Sequence, residues 1–292
     1  LSGDTGVLYL CATPIGNLED MTLRALRVLK EADLVAAEDT RSARKLFSHF
    51  DIHTPLTSYH DHNRRSKGPY LIKLLLEGRN IALVSDAGMP GVSDPGEDLT
   101  ALAVGQGIRV VPIPGASASL SALVVSGLPA ERFCFEGFLP PRGKTRKERL
   151  KSLQGEKRTM VFYESPHRLT ATLADFAGTF GNRRICLARE LTKYYEEVWR
   201  GDLSGAMEKF SQQTPRGEFT LVLEGLDSLE SRAESGREER PAPGAGELAA
   251  LVEDLEKRGI SRKEAIKEAS LMAGLPKRQV YAALLEKKES GG

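Results

Sequence analysis

Ser85–Gly96 reads SDAGMPGVSDPG. The apolar run Ile81-Ala82-Leu83-Val84 before it reads as a buried strand, and Leu99-Thr100-Ala101-Leu102-Ala103-Val104 after it as a helix. Twelve residues is long for such a connection, which usually takes about 2–6. Gly88, Gly91 and Gly96 allow backbone angles that a side chain forbids and let a ligand approach the main chain. Asp94 is placed as N-cap of the helix, Pro95 as its first residue and Glu97 as the reciprocal capping partner. Open α/β sheets bind ligands at the carboxyl ends of their strands. The stretch therefore predicts a ligand loop in an α/β domain.

The flanking chain repeats the pattern. Val7–Ala12 reads as a first strand ending in Thr13-Pro14-Ile15-Gly16-Asn17, before a helix with Leu23, Leu26 and Leu29 on one face. Leu34–Ala37 is a second strand ending in Glu38-Asp39-Thr40-Arg41, and Pro55–Tyr59 a third. Tyr70, Leu71, Leu74 and Leu75 mark an amphipathic helix. Arg109–Ile113 is a strand ending in Pro114-Gly115-Ala116-Ser117-Ala118, and the next helix stops at Gly127. Alternating strands and helices predict a largely parallel sheet over residues 1–130. A second α/β domain, 131–225, is read from Phe133–Phe138, Thr159–Tyr163, Arg184–Ala188 and Phe219–Leu223. Its strand ends carry Glu164-Ser165-Pro166-His167-Arg168 and Arg189-Glu190-Leu191-Thr192-Lys193.

Residues 226–246 are polar and acidic and read as a linker. Residues 247–292 predict three short helices. The first carries Leu248, Leu251, Val252 and Leu255 and ends at Gly259. The second opens with a capping box, Ser261 to Glu264, and carries Ile266 and Met272. The third begins at Pro276 and carries Val280, Tyr281, Leu284 and Leu285. Helix, short turn, helix is the helix-turn-helix pattern. The net charge of +1 hides a polarity. Glu224 to Glu256 hold ten acids against three bases, and Lys257 to Lys288 nine bases against three acids. Arg142 to Lys151 hold six bases and one acid. Such patches are the footprint to weigh for a nucleic-acid partner; a small bundle with a solvated charged face, or a dimerisation tail, is the other reading of the helices.

Several classes are disfavoured. No apolar run reaches the length of a membrane span, and Leu1 to Thr5 lack the basic start of a signal peptide. Cys11, Cys134 and Cys186 are far apart in apolar runs, which predicts core thiols of a reduced, cytoplasmic protein. His60-Asp61-His62 lacks further ligands at a convincing spacing, so no metal site is expected. The dinucleotide fingerprint and the phosphate-binding lysine loop are missing. Ser117 is not in a nucleophile elbow.

Six motifs, in order and spacing, resemble the tetrapyrrole-methylase superfamily, in particular its branch acting on ribosomal RNA. They are Pro14–Asn17, Glu38–Arg41, Ser85–Gly88, Pro114–Ala118, Phe162–Arg168 and Ala188–Lys193. The resemblance spans about Val7 to Gly225 and extends more weakly to the tail. It implies two α/β domains with S-adenosylmethionine in the cleft between them, a homodimer, and 2′-O-methylation of a cytidine in the decoding region of 16S rRNA. The substrate is that RNA or the small ribosomal subunit. Cofactor contacts carried over by motif are Pro14, Ser85, Asp86, Ala87, Met89, Ser117, Ala118, Tyr163 or Glu164, and Leu191. Many superfamily members have Gly-Asp-Pro where this chain has Ser85-Asp86-Ala87; Asp86 is shared. A ribose hydroxyl needs its proton removed or its oxygen polarised. The groups available are Glu38, Asp39, Glu190 and Lys193, with Arg41 and Arg168 for phosphate or the oxyanion and Asn17 for base or ribose. Two other readings compete: a small-molecule tetrapyrrole methyltransferase, which has no use for a basic tail, and a non-enzymatic nucleic-acid-binding protein with a cofactor-sensing cleft.

Overall fold

A computed structural model describes residues 5–211, 214–228, 245–257, 260–273, 280, 281 and 284. The chain divides into two compact units, 1–228 and 229–292.

The first unit holds two five-stranded sheets. One is parallel throughout, in the order β3-β2-β4-β1-β5. Its strands are β1 (Val7–Cys11), β2 (Leu34–Ala37), β3 (Leu56–Ser58), β4 (Ile81–Val84) and β5 (Arg109–Ile113). All four residues of β4 are buried, as expected of a parallel sheet covered on both faces. Side chains alternate between the faces. Cys11, Ala82 and Val84 pack with α1 (Leu23–Glu31) and α2 (Thr40–His49). Leu8, Ile81 and Leu83 pack with α3 (Arg64–Leu76) and α4 (Gly96–Gly105).

This arrangement places the crevice. β1 and β4 are neighbours, yet α1 leaves β1 over one face and α4 leaves β4 over the other. Connections that part to opposite faces open a gap at the strand ends, the switch point where ligands bind.

The second sheet is mixed, in the order β6-β7-β10-β8-β9. β6 (Phe133–Phe138) and β7 (Thr159–Glu164) are parallel; β10 (Phe219–Leu223) runs antiparallel to β7 and to β8 (Arg184–Arg189). β9 (Glu197–Asp202), unanticipated from the sequence, adds an antiparallel edge. Met160, Phe162, Leu187 and Leu221 face α6 (Lys144–Ser152), α7 (Pro166–Phe180) and α8 (Leu203–Ser211). Val161, Cys186, Ala188 and Val222 face the opposite way, against α5 (Ala118–Ser126), Ile15 and Leu191. Thus α5 follows the last strand of the first sheet but buries Ala122 and Leu123 on the second. One apolar cluster joins the sheets.

Two local expectations are corrected. Asp94 does not cap α4 in a capping box: its carboxylate accepts from Gly91 N (2.8 Å) and Gly96 N (2.7 Å), closing the loop on itself. Leu23 does not share the buried face of Leu29; it is 85% exposed.

In the second unit, α9 (Ala245–Lys257) and α10 (Arg262–Ala273) pack through Leu248, Val252, Leu255, Ala265, Ile266 and Ala269. Ser261 Oγ donates to Glu264 at 2.8 Å, so the two residues of the expected box meet. Gly259, Gly274 and Leu275 of the expected turn, and most of the expected third helix from Pro276, lie outside the described residues, as do the Met272 side chain and most of the linker.

Candidate active site

The loops after β1 and β4 are stitched together. Thr13 N donates to Gly88 O (2.9 Å), and Gly88 N to Thr13 O (3.0 Å). Gly88 has φ +78°, a left-handed angle that costs a side chain roughly 1–2 kcal/mol. Below this bridge a cleft of about 480 Å3 opens between the sheets, within the range of small-molecule sites. Its walls come from Ser85–Met89 and Val92–Asp94, Ser117 and Ala118, Tyr163–Pro166, and Glu218–Thr220. Ile15, Glu38, Phe138, Ala188 and Leu191 complete it.

Ser85, Asp86, Ala87, Met89, Ser117, Ala118, Tyr163, Glu164 and Leu191 therefore all face one cavity, with Glu38. Pro14 does not; it lines an adjoining groove of about 230 Å3 with Gly16, Leu18 and Lys45, which shares Ser85 and Asp86 with the cleft. Asn17 caps the turn that follows it, accepting from Glu19 N at 3.0 Å. Missed from the sequence were Phe138 and Glu218–Thr220. Because β10 is antiparallel to β7 and β8, its first residues stand at their carboxyl ends. A strand start carries no turn signature; only the antiparallel pairing would have revealed it.

The charged groups separate by their partners. Glu38 accepts from Asp86 N (3.3 Å), and Asp86 accepts from Asp39 N (3.1 Å), which locks the β2 and β4 loops. Burial pushes the Glu38 carboxyl up; the Asp86 N–H opposes this, and the charges of Asp86, Asp94 and Asp61 add to it. Burial also raises Asp86, against the hydrogen bond from Asp39 N. No cation lies within ion-pair distance of Glu38 among the described residues. Asp39 differs: hydrogen bonds from the Arg41 side chain and backbone hold it down at about 2.

Asp39, Arg41, Arg168, Glu190 and Lys193 lie outside the lining of the cleft. Arg168 pairs with Glu164 (2.9 Å) and donates to Leu139 O (3.2 Å). Glu190 and Lys193 are 2.9 Å apart, and Lys193 also reaches Glu218 (2.8 Å). Burial pulls Lys193 down, but these two carboxylates outweigh it and raise the ammonium. Burial likewise pushes Glu190 up, and Lys193 with Glu218 N holds it below the usual range. Glu190 and Thr192 have φ +50° and +66°, a strained turn of the kind that clusters at functional sites. Gly16 packs on this turn; a Cβ there would lie 2.4 Å from Lys193 Cγ and 2.9 Å from Thr192 Oγ1. Among the described residues no group of three or more His, Cys, Asp or Glu could hold a metal ion.

The fold recurs in solved structures. Diphthine synthase superposes with a TM-score of 0.60 at 18% identity, covering 75% of this chain and 90% of that one. Uroporphyrin-III-C-methyltransferase from Thermus thermophilus gives 0.52 at 22% identity, covering 78% and 98%. Sequence similarity is far higher to proteins named ribosomal RNA small subunit methyltransferase I. The Halalkalibacterium halodurans protein is 50% identical over 95% of this chain and 94% of its own. The Synechocystis protein is 47% identical over 98% and 100%. The family model for tetrapyrrole (corrin/porphyrin) methylases matches residues 7–206, the span that builds the bridged loops and all but the β10 wall of the cleft, and the chain belongs to that family.

Proposed function

We propose that this chain is an S-adenosylmethionine-dependent methyltransferase of small-subunit ribosomal RNA, acting on the ribose 2′-oxygen of a cytidine in the decoding region. The observation that carries the reading is the convergence of the motif loops on one cleft, in a chain 50% identical to a protein named ribosomal RNA small subunit methyltransferase I. Work in the cytoplasm, where ribosomal RNA is the substrate, and a homodimer are both part of the proposal.

The cleft suits the cofactor. Ser85–Gly88, Ser117 and Ala118 offer loop backbone, Ile15, Met89 and Leu191 offer apolar surface for a purine, and Glu38 and Asp86 offer negative charge to a cation. Pro14 flanks it from the adjoining groove. When bound, S-adenosylmethionine supplies a methyl group on a sulfonium whose thioether leaves with the bonding pair. The protein's task is then to position the ribose oxygen in line and take its proton. Glu38 is the base: it faces the cleft, has no cation partner among the described residues, and its carboxyl is raised. Asp39 and Glu190 are held low by Arg41 and Lys193. Arg41 fixes the Asp39 cap of α2, Arg168 holds Glu164, and Lys193 clamps the turn over Gly16.

Labelled S-adenosylmethionine tests the reading. Small subunits from cells lacking the activity are offered beside the same RNA stripped of protein, and the label is mapped by nuclease digestion and mass spectrometry. Label on one cytidine ribose is expected; no label on either, with cofactor bound, favours the sensing or small-molecule readings. Gly16→Ala should lower cofactor affinity about tenfold, because its methyl group forces the β1 and β8 loops apart; calorimetric titration with S-adenosylhomocysteine reads this directly. Unchanged affinity would show that the two loops separate freely.

The domain assignment is proposed as read: 1–130 and 131–225 around the cleft, 226–246 as linker, 247–292 as an RNA-binding tail. Of the six bases from Arg142 to Lys151, Arg146 is buried and tied to Asp175, Thr172 and Pro140 O; the other five, with the bases of the tail, bind phosphate. Deleting residues 241–292 should weaken RNA binding and flatten its dependence on salt while cofactor affinity stays. Equal RNA affinity after deletion would remove the tail from the interface.

A further inference from the structure

We propose that Tyr194 and Tyr195, on the turn between β8 and β9, form a stacking platform for unpaired nucleobases beside the cleft; this rests on the RNA reading above. Tyr194 is 93% exposed and Tyr195 68%. Their rings meet edge to face with centroids 4.9 Å apart. Two large rings standing in solvent gain nothing from burial within this unit. The backbone beneath them is nevertheless held firmly. Thr192 N donates to the Glu196 carboxylate (2.6 Å), Lys193 N to Glu190 O (3.0 Å) and Glu196 N to Lys193 O (3.1 Å). Lys193 is tied to Glu190 and Glu218, and Glu190 and Thr192 hold left-handed angles. A turn under this constraint presents its tip in one direction.

The tip adjoins the cleft. Leu191 lines the cavity, and at about 3.8 Å per residue Tyr194 Cα lies within about 11 Å of Leu191 Cα. Sequence-specific RNA binding uses aromatic faces to stack bases splayed from loops and single strands. Charge on the turn is nearly balanced: Lys193 is neutralised by Glu190 and Glu218, and Glu197 by Lys209 and Arg189. The turn therefore offers ring faces and not a phosphate site. A second copy of the chain is the other occupant to consider. The two tyrosines alone, at about 150–250 Å2 each, do not make the roughly 800 Å2 per partner of a stable interface, and the sedimentation arm of the test reads whether they belong to a larger one.

The test compares the full-length chain with Y194A/Y195A and Y194F/Y195F on small subunits lacking the modification. The alanine pair should raise KM for subunits about tenfold or more. The phenylalanine pair, which keeps both ring faces, should stay near the wild type. S-adenosylhomocysteine affinity, sedimentation mass and the salt slope of subunit binding should not change, because stacking releases no counterions. An unchanged KM in the alanine pair overturns the platform while leaving the methyltransferase reading intact. So does an equal loss in the phenylalanine pair, or a shift of sedimentation mass, which assigns the rings to a subunit interface. A wild-type protein that methylates neither subunits nor RNA overturns the underlying reading itself.

Discussion

Glu38→Gln lowers kcat on small ribosomal subunits by about 10²–10⁴-fold, the range for loss of a general base, and leaves the affinity for S-adenosylhomocysteine, which carries no sulfonium charge, within a few-fold. The substitution keeps shape. An amide oxygen can still accept from Asp86 N, the bond that ties the β2 and β4 loops, so the cleft is preserved while its proton acceptor is lost. The pH profile supplies an independent sign. Burial, followed by the charges of Asp86, Asp94 and Asp61, sets Glu38 above the ordinary glutamate value despite the Asp86 N–H. Only the carboxylate accepts a proton, so kcat/KM should fall as pH drops through that raised pKa, at a higher pH than an exposed glutamate would give. Glu38→Gln should lack this acid limb. Asp39→Asn is the control: Arg41 already holds Asp39 at about 2, where a carboxylate is a weak base, and kcat should change less than tenfold. A wild-type kcat in Glu38→Gln, or an acid limb that survives it, removes Glu38 from the proton transfer.

Much of this geometry was legible in the sequence because parallel strands leave strong marks. Ile81–Val84 is apolar at every position, since the central strand is covered on both faces. The turns after β1, β4, β5 and β7 hold Gly, Pro, Ser or Asp, and they converge on the cleft. The second sheet was less legible. Residues 197–202 form a half-exposed edge strand, and their alternation is too weak to separate from a loop. The direction of β10 depends on pairing partners far away in the chain, and with it the place of Glu218–Thr220 in the cleft. The same limit explains α5, whose small and apolar residues do not show which face is buried or on which sheet: Ala122 and Leu123 pack on the second sheet while Leu120 and Val124 are exposed.

Charged residues were the least separable by sequence. Glu38 and Asp39 are adjacent, yet one faces the cleft and the other caps a helix. A one-residue step along an extended chain reverses the side chain's direction, so identity of type says little about role. Arg168 shows the same limit. Its motif neighbours line the cleft, while its guanidinium is directed to Glu164 and to Leu139 O. It acts on the site through the wall it holds.

That wall makes a second large effect. Glu164→Ala should destabilise the first unit by about 3–5 kcal/mol, as expected when one partner of a buried ion pair is removed. For a unit of this size the midpoint of thermal unfolding should fall by about 10 °C. The Glu164 side chain is 1% exposed and accepts from Ser165 N (2.8 Å), Thr172 Oγ1 (2.5 Å) and Arg168 (2.9 Å). Thr172 in turn accepts from Arg146, which is buried, pairs with Asp175 and donates to Pro140 O. Truncation leaves Arg168 without its carboxylate and Thr172 without its acceptor. It also loosens the two arginine ties to Leu139 and Pro140 that lead into the basic helix α6. Arg158→Ala is the contrast. Glu156 is held down at about 2 chiefly by the Arg158 side chain, but Arg158 is 43% exposed, and such pairs contribute about 0–1 kcal/mol once water screens them. Calorimetric unfolding of both variants separates the two cases. Equal midpoints would mean that the buried network around Glu164 contributes no more than a surface pair, and that the cleft wall is held by the apolar contacts of Phe162, Leu169 and Phe176 alone.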